Sequence, residues 1–304
     1  MVLAPVVLFT YNRPKHTRQT VEALQKNELA KDSKLFIYSD TAKNENALNK
    51  VNEVREYIKT INGFKKVTII EREKNWGLAN SIIDGVTKIV NEYGKIIVLE
   101  DDLVTSPYFL KFMNEALEFY EDEKKVWHIS GWNYPIDTGD LDDVFLWRLM
   151  NCWGWATWAD RWKNYEKDIN KTINEFSKDD IKRFNIDGVE NFWGQVLSNK
   201  EGMINTWAIF WYATIFKQNG LCLNPSQSFV ENIGHDGSGV HCGESCAFNS
   251  SLSMNEKVNF DTKIEENSFA VRRIQQFYKS QKKYFFVRVI NKLARIAIGR
   301  NILK

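Results

Sequence analysis

The sequence predicts an α/β fold with a mostly parallel sheet flanked by helices. Three features carry that prediction. Short apolar runs alternate with amphipathic helical stretches through the first hundred residues, in the order βαβαβαβ. Polar side chains follow each strand-like run, at the ends where open α/β sheets place their ligands. The fourth run, Lys95-Ile96-Ile97-Val98-Leu99, breaks directly into Glu100-Asp101-Asp102. Its unbroken apolar character is that of a strand buried on both faces. Three adjacent anions repel one another, and two arrangements tolerate them. One is a hard divalent cation, Mg²⁺ or Mn²⁺, with sugar and base hydroxyls around it. The other is the acidic start of a helix, with Asp102 or Ser106 ahead of Pro107 as its cap.

Val6 to Thr10 is the first strand, broken by the turn residues Tyr11-Asn12-Arg13-Pro14 before a helix with Thr17, Val21 and Leu24 on one face. Leu35 to Ser39 is the second, closing on Asp40. A helix through Leu48, Val51, Val54 and Ile58 leads to the third, Val67 to Ile70. The loop Asn75-Trp76-Gly77-Leu78 opens a helix carrying Ile82, Ile83, Val86, Ile89 and Val90, which delivers the chain to the strand before the carboxylates. With right-handed crossovers, Tyr11, Asn12, Arg13, Asp40, Asn75 and the acidic cluster converge. No glycine-rich phosphate fingerprint is present, so a bound nucleotide diphosphate would need a metal to neutralise it.

A helix through Phe109, Phe112, Met113, Ala116 and Leu117 follows, then a strand from Val126 to Ser130. Between residues 132 and 162 lie six tryptophans: Trp132, Trp147, Trp153, Trp155, Trp158 and Trp162. Most are expected to fill core, and two or three to form an apolar platform. Further on, Thr206 to Lys217 reads as a helix, Leu221 to Val230 as a strand pair around Pro225, and Asn232 to His241 as a glycine-rich loop that folds over a ligand.

The 304 residues are 43% hydrophobic and 13% aromatic, a globular composition. The net charge of +2 hides a division: all 39 acidic residues lie within 1–266, which carries about −8, whereas ten basic residues follow Glu266 and give the tail +10. The acidic body argues against nucleic acid as a partner. Four cysteines make no disulfide framework, and Cys242 and Cys246 beside His241 are too few for a zinc site. The chain shows no signal-peptide pattern and no run of roughly 18 to 20 apolar residues. The expected location is therefore cytoplasmic, peripheral at the inner face of the membrane, with residues 267–304 as a basic amphipathic helix. Phe285, Val289, Leu293 and Ile296 are at helical spacing there. A helix packed back on the domain fits the same spacing.

Taken together, Tyr11-Asn12-Arg13-Pro14, Asp40, Asn75-Trp76-Gly77-Leu78, Val98 to Leu103, Ser130-Gly131-Trp132-Asn133, Cys152-Trp153-Gly154-Trp155 and the Gly234 to His241 loop stand in an order that resembles the metal-dependent GT-A glycosyltransferases. The resemblance is to the N-acetylglucosaminyltransferase I type and the bacterial family 2-like enzymes of surface-polysaccharide clusters. It covers roughly residues 5–245 and implies a Rossmann-like GT-A domain over 1–266. The nucleotide-sugar half is then about 1–130 and the acceptor half about 131–266. It implies that Thr10, Tyr11, Arg13, Asp40, Asn75, Gly77, Glu100 and Asp101 surround the nucleotide sugar, with Arg13 and Asp40 at the nucleobase and Asp101 at the ribose. Asp102 and His241 face the Mn²⁺ or Mg²⁺. Trp132, Asn133, Trp153 and Trp155 meet the acceptor. The implied reaction is transfer from a UDP-sugar, of the N-acetylhexosamine kind, to a surface-glycan or polyprenyl-linked acceptor with inversion. The chain departs from the pattern at the base: neither Asn205-Thr206-Trp207-Ala208 nor Phe192-Trp193-Gly194-Gln195 holds an acid. Glu201 and Glu190 are the nearest substitutes, Glu201 favoured. A metal-dependent nucleotidyltransferase and a catalytically impaired sugar-nucleotide-binding protein are the alternatives.

Overall fold

The computed structural model describes residues 2–236, 247–248, 250–260 and 262–282. The chain alternates as expected through Val6–Thr10 (β1), Pro14–Gln25 (α1), Lys34–Ser39 (β2), Glu45–Lys59 (α2), Lys66–Glu71 (β3), Gly77–Tyr93 (α3) and Lys95–Glu100 (β4). Local chemistry sets the boundaries. Pro14 opens α1, where a missing N–H costs nothing. Asn44 caps α2 by accepting from Ala47 N at 3.2 Å. Gly94, at φ 80°, ends α3 in the left-handed conformation that a side chain resists.

Leu103–Thr105 (β5), Phe109–Phe119 (α4), Val126–Ser130 (β6), Val144–Trp147 (β7) and Trp155–Trp158 (β8) follow. Then come Ala159–Trp162 (α5), Ile169–Glu175 (α6), Lys178–Phe184 (α7), Trp193–Lys200 (α8), Ala208–Lys217 (α9), Leu221–Pro225 (β9) and Val230–Asn232 (β10). Residues 268–282 form a last helix, α10. The main sheet runs β3-β2-β1-β4-β8-β6-β9-β7, with β8 and β7 opposed to the other six. It is mostly parallel, as predicted. The expected strand pair around Pro225 does not form: β9 lies between β6 and β7, whereas β10 pairs with β5 in a second small sheet.

Alternation along the central strands feeds two apolar layers. Val7, Phe9, Ile96 and Val98 face α3 and α9, while Val6, Leu8, Ile97 and Leu99 face α1, α2 and α4. Each such side chain contributes roughly 1.5–3 kcal/mol of burial. The chain leaves β1 toward β2 on one side and reaches β4 on the other, so the crevice between the carboxyl ends of β1 and β4 is the topological switch point.

Part of the expected tail belongs to this core. Ala270, Val271, Ile274 and Phe277 of α10 are buried in the layer over α9. Just before the helix, Glu266 accepts a two-pronged hydrogen bond from Arg148, at 2.7 and 2.8 Å. Residues 283–304, with Phe285 and the rest of the basic face, lie outside the described residues. No described helix is long and apolar enough to cross a membrane.

A buried polar chain crosses the same layer. Trp211 Nε1, which can only donate, reaches His128 Nδ1 at 3.2 Å, so His128 Nε2 carries the proton and donates to Asn151 O at 2.9 Å. Burial pushes His128 down to about 4. Unfolded, the imidazole takes its proton near 6.5. Between those values the unfolded chain binds the extra proton, so stability is present above pH 6.5 and is lost as pH falls toward 4. Urea unfolding at pH 7 and pH 4.5 should show this loss in the wild type and a smaller one in His128→Gln; an equal loss in both would remove His128 as its source.

Candidate active site

The acidic cluster sits at the switch point. Glu100 ends β4, Asp101 and Asp102 form the turn, and Leu103 starts β5. Asp102 does not cap the next helix, because β5 intervenes between the carboxylates and α4. Ser106, beyond β5, serves the entrance of α4: its Oγ accepts from Tyr108 N at 3.3 Å and donates to Ser253 O at 2.6 Å, and its carbonyl accepts from Phe109 N at 3.1 Å. The cap reading thus holds for Ser106 and not for the carboxylates.

Arg13, placed by the turn after β1, points back across the crevice. Its Nη2 pairs with Asp101 Oδ1 and lies 3.0 Å from Asp102 Oδ2. Asp101 also accepts from Tyr11 N at 3.4 Å, and its carbonyl accepts from Thr20 Oγ1 at 2.9 Å. The side chain of Glu100 makes no hydrogen bond or ion pair among the described residues. One cation therefore stands against three carboxylates, and the balance, if all ionise, is that of one divalent ion.

Electrostatics record the crowding. Burial, with Asp102 and Asp101 adding to it, pushes Glu100 up to about 8. Burial likewise pushes Asp101 up to about 6, against the opposing pull of Arg13. Burial alone would lower Arg13, but Asp101 and Asp102 outweigh it and raise it, so the guanidinium stays charged.

Asp40, expected at the nucleobase, is taken up by the protein. Its carboxylate accepts from Trp76 N at 2.9 Å, Gly77 N at 2.8 Å, Asn75 Nδ2 at 3.2 Å and Thr41 N at 3.0 Å. It therefore caps α3 from outside that helix, satisfying N–H groups that have no intrahelical partner. Through it Asn75 and Gly77 are fixed at the edge of the crevice. Thr10 is buried, with Oγ1 donating to Tyr38 O at 3.4 Å.

The acceptor expectations divide. Trp155 is fully buried, stacked on Trp207 and His128, and Asn133 is 1% exposed. Asn133 bonds to Ser228 Oγ, Ser226 O and Tyr134 N. Both are core residues: the ring of Trp155 is covered on all sides, although its Nε1 has no hydrogen-bond partner among the described residues, and the polar groups of Asn133 are spent inside the protein. Trp132 and Trp153 meet edge to face with centroids 4.5 Å apart, and Trp153 meets His235 at 5.3 Å. Trp132 Nε1 and His235 Nε2 are buried without a hydrogen-bond partner among the described residues. This pair forms a wall beside the loop that follows β10.

That loop holds residues the sequence reading did not place at the site. Ile233 N donates to Asp102 O at 2.9 Å and Gly234 N to Asn232 Oδ1 at 2.7 Å. A Cβ at position 234 would overlap the Asp102 carboxylate and come within 3.0 Å of Arg13 Nη1. Asp236 lies 3.1 Å from His16 on α1. His241, expected at the metal, lies outside the described residues.

Of the two candidate bases, Glu190 is half-buried before α8, 3.5 Å from Lys282, and Glu201 is exposed at the far end of that helix. From Glu190 the aromatic wall is continuous. Phe192 contacts Tyr278, Tyr278 Oη is 2.9 Å from Tyr134 Oη, and Tyr134 packs on Trp132 at 4.7 Å.

No group of three or more His, Cys, Asp or Glu side chains among the described residues could by itself hold a metal ion. The donors nonetheless fit Mg²⁺ or Mn²⁺, which are held through one or two carboxylates plus substrate phosphates. Asp102, with Asp101 beside it, could supply those carboxylates.

Two outcomes are expected. Glu100 and Asp101 hold protons in the folded chain that they release when unfolded above 4.5 and 3.8, so stability of the metal-free protein falls as pH rises toward 8. Glu100→Gln should flatten that fall in chemical unfolding curves; an unchanged slope would place its origin elsewhere. Gly234→Ala should leave the fold intact by circular dichroism yet lower Mn²⁺ binding by about tenfold or more, since a methyl group would displace the Asp102 carboxylate. Calorimetry with unaltered affinity would contradict the packing argument.

A family model described as the GNT-I family matches residues 1–173. A search of curated proteins returns no match. Among solved structures the chain is similar to S. aureus TarS, at 15% identity over 47% of this chain and 24% of that chain, TM-score 0.33. It is also similar to S. aureus TarS 1-349, at 12% identity over 75% of this chain and 59% of that one, TM-score 0.41. A third is the mannosyltransferase PcManGT from Pyrobaculum calidifontis in complex with GDP-Man and Mn²⁺, at 11% identity over 71% and 69%, TM-score 0.42. The chain thus spans about a quarter of one TarS structure and three-fifths of the other. The matched region covers more than half of the chain, runs from before β1 to beyond α5 and contains Arg13, Asp40, Glu100, Asp101 and Asp102: the chain belongs to the GNT-I family, a family of glycosyltransferases.

Proposed function

We propose that the chain is a divalent-cation-dependent glycosyltransferase that moves a hexosyl or N-acetylhexosaminyl group from a UDP-sugar to a surface-glycan or lipid-linked acceptor. The observation that carries the reading is the switch-point cluster. The ends of β1 and β4 bring three carboxylates and one guanidinium together, an excess of negative charge that a divalent cation offsets, beside a guanidinium that a diphosphate can meet. Asp101 faces the ribose and Asp102 holds the Mn²⁺ or Mg²⁺. When bound, that ion supplies Lewis-acid stabilisation to the leaving diphosphate.

The chain's own residues do the rest. Arg13 offers a planar fork to phosphate oxygens. Asn75 and Gly77, held by Asp40, shape the nucleoside side. Trp153, partly exposed and backed by the buried Trp132, presents an aromatic face to a sugar. Glu190, half-buried at the far end of the aromatic wall, is the better-placed proton acceptor for the incoming hydroxyl, and Glu201 the alternative. The basic residues after α10 suit an anionic membrane surface, which agrees with a lipid-linked acceptor and a peripheral cytoplasmic location.

The reading is tested by incubating the protein with Mn²⁺ and a panel of UDP-sugars. UDP release is expected; no release from these donors but pyrophosphate release from UTP and a sugar 1-phosphate in a parallel incubation would indicate a nucleotidyltransferase instead, and neither product a chain that binds without catalysis. Glu190→Gln should lower kcat by about 10²-fold or more while Glu201→Gln stays within a few-fold. The reverse pattern would move the base to Glu201.

A further inference from the structure

The acidic pair at the switch point is already paired with a cation that belongs to the chain. Arg13 Nη2 contacts Asp101 Oδ1 and stands 3.0 Å from Asp102 Oδ2, so a single guanidinium nitrogen bridges the two carboxylates. A divalent ion drawn to the same oxygens would need to approach them to about 2.0–2.2 Å, inside the volume that nitrogen fills. The opposite flank is closed by backbone. Gly234 lies so near that a Cβ there would come within 3.0 Å of Arg13 Nη1, and Ile233 N is bonded to Asp102 O. The same loop continues to Asp236, which meets His16 on the helix that Arg13 introduces. The guanidinium is therefore held between the aspartates and the β10 loop.

From this geometry we infer that Arg13 is a resident counter-cation, which leaves the Asp101–Asp102 pair when the divalent ion binds, and that the nucleotide diphosphate is the anion that draws it out. The inference rests on the nucleotide-sugar reading given above. Its physical basis is charge pairing. A divalent ion alone must expel Arg13 into a half-buried position with no anion to meet, and a diphosphate alone must face aspartates it repels. An uncompensated charge in such a setting is costly. When both enter together, the ion takes the carboxylates and the fork takes phosphate oxygens, so neither the aspartates nor the guanidinium is left without a partner. Arg13 thereby makes binding of ion and nucleotide mutually dependent, without being a group that touches the reacting carbon.

The test is calorimetric titration of Mn²⁺ into the full chain, with and without saturating UDP, for wild type, Arg13→Ala and Arg13→Lys. In the wild type UDP should tighten Mn²⁺ binding by about tenfold or more. Arg13→Ala should bind Mn²⁺ alone about tenfold more tightly than wild type and lose most of the UDP dependence; Arg13→Lys, which keeps the charge, should stay near wild type for Mn²⁺ alone. If the alanine variant fails to fold by circular dichroism, Arg13→Gln carries the same expectation. Equal affinities of wild type and the neutral variant for Mn²⁺ alone, with Asp102→Ala abolishing binding, would overturn the inference and leave the nucleotide-sugar reading standing. No Mn²⁺ binding by wild type even with UDP would overturn both.

Discussion

Negative charge held at the end of an apolar strand is the constraint from which the site follows. The residues of β4 ahead of Glu100 are drawn inward by both apolar layers, which leaves the cluster no freedom to slide outward into solvent. Its carboxylates must then be matched where they stand. Arg13 provides the match because β1 is the neighbour of β4 and the turn after β1 aims across the crevice. A parallel register with Phe9 opposite Glu100 places that turn level with the aspartates.

Other contacts hold this arrangement rather than add to it. Asp40 ties the start of α3 to the end of β2, and the β10 loop ties the far half of the chain to Asp102 through backbone alone. Backbone contacts of this sort depend on the size of the residue that makes them. That is why a glycine at 234 bears more on the site than neighbours with richer chemistry.

The central half of the fold was legible because its strands and helices are long enough to show their periods. β1 and β6 appear with the expected limits, β2 and β4 differ by a residue at one end, and β3 is longer by a residue at each end. β5, β7 and β8 were not, since runs of three or four residues carry no readable period; most of the indoles were expected in the core, where Trp147, Trp155 and Trp158 lie, but not on strands. Their burial comes from the antiparallel insertion of β8 between β4 and β6, a long-range pairing invisible in local sequence. At the site, Arg13, Asp101 and Asp102 were legible from strand-end chemistry. Asp40 was read as a ligand because a strand-end acid in this fold commonly is one; the helix N-terminus that occupies it arrives from 36 residues further along. The loop from Asn232 to His241 was read as folding over a ligand, but the part of Gly234 in it was not, because that residue acts by lacking a side chain; His16 was missed because it meets a loop more than 200 residues away.

The seating of α10 bears on orientation. A cationic segment joined to a domain by a swivel would leave the crevice free to face any direction while the segment held a surface. Here the helix leading to residue 283 is locked by Ile274 and Phe277 into the layer beside the aromatic wall, and Arg273 fixes its flank to Asp137 and Asp140. The point of departure of the basic sequence is thus set in the frame of the crevice itself.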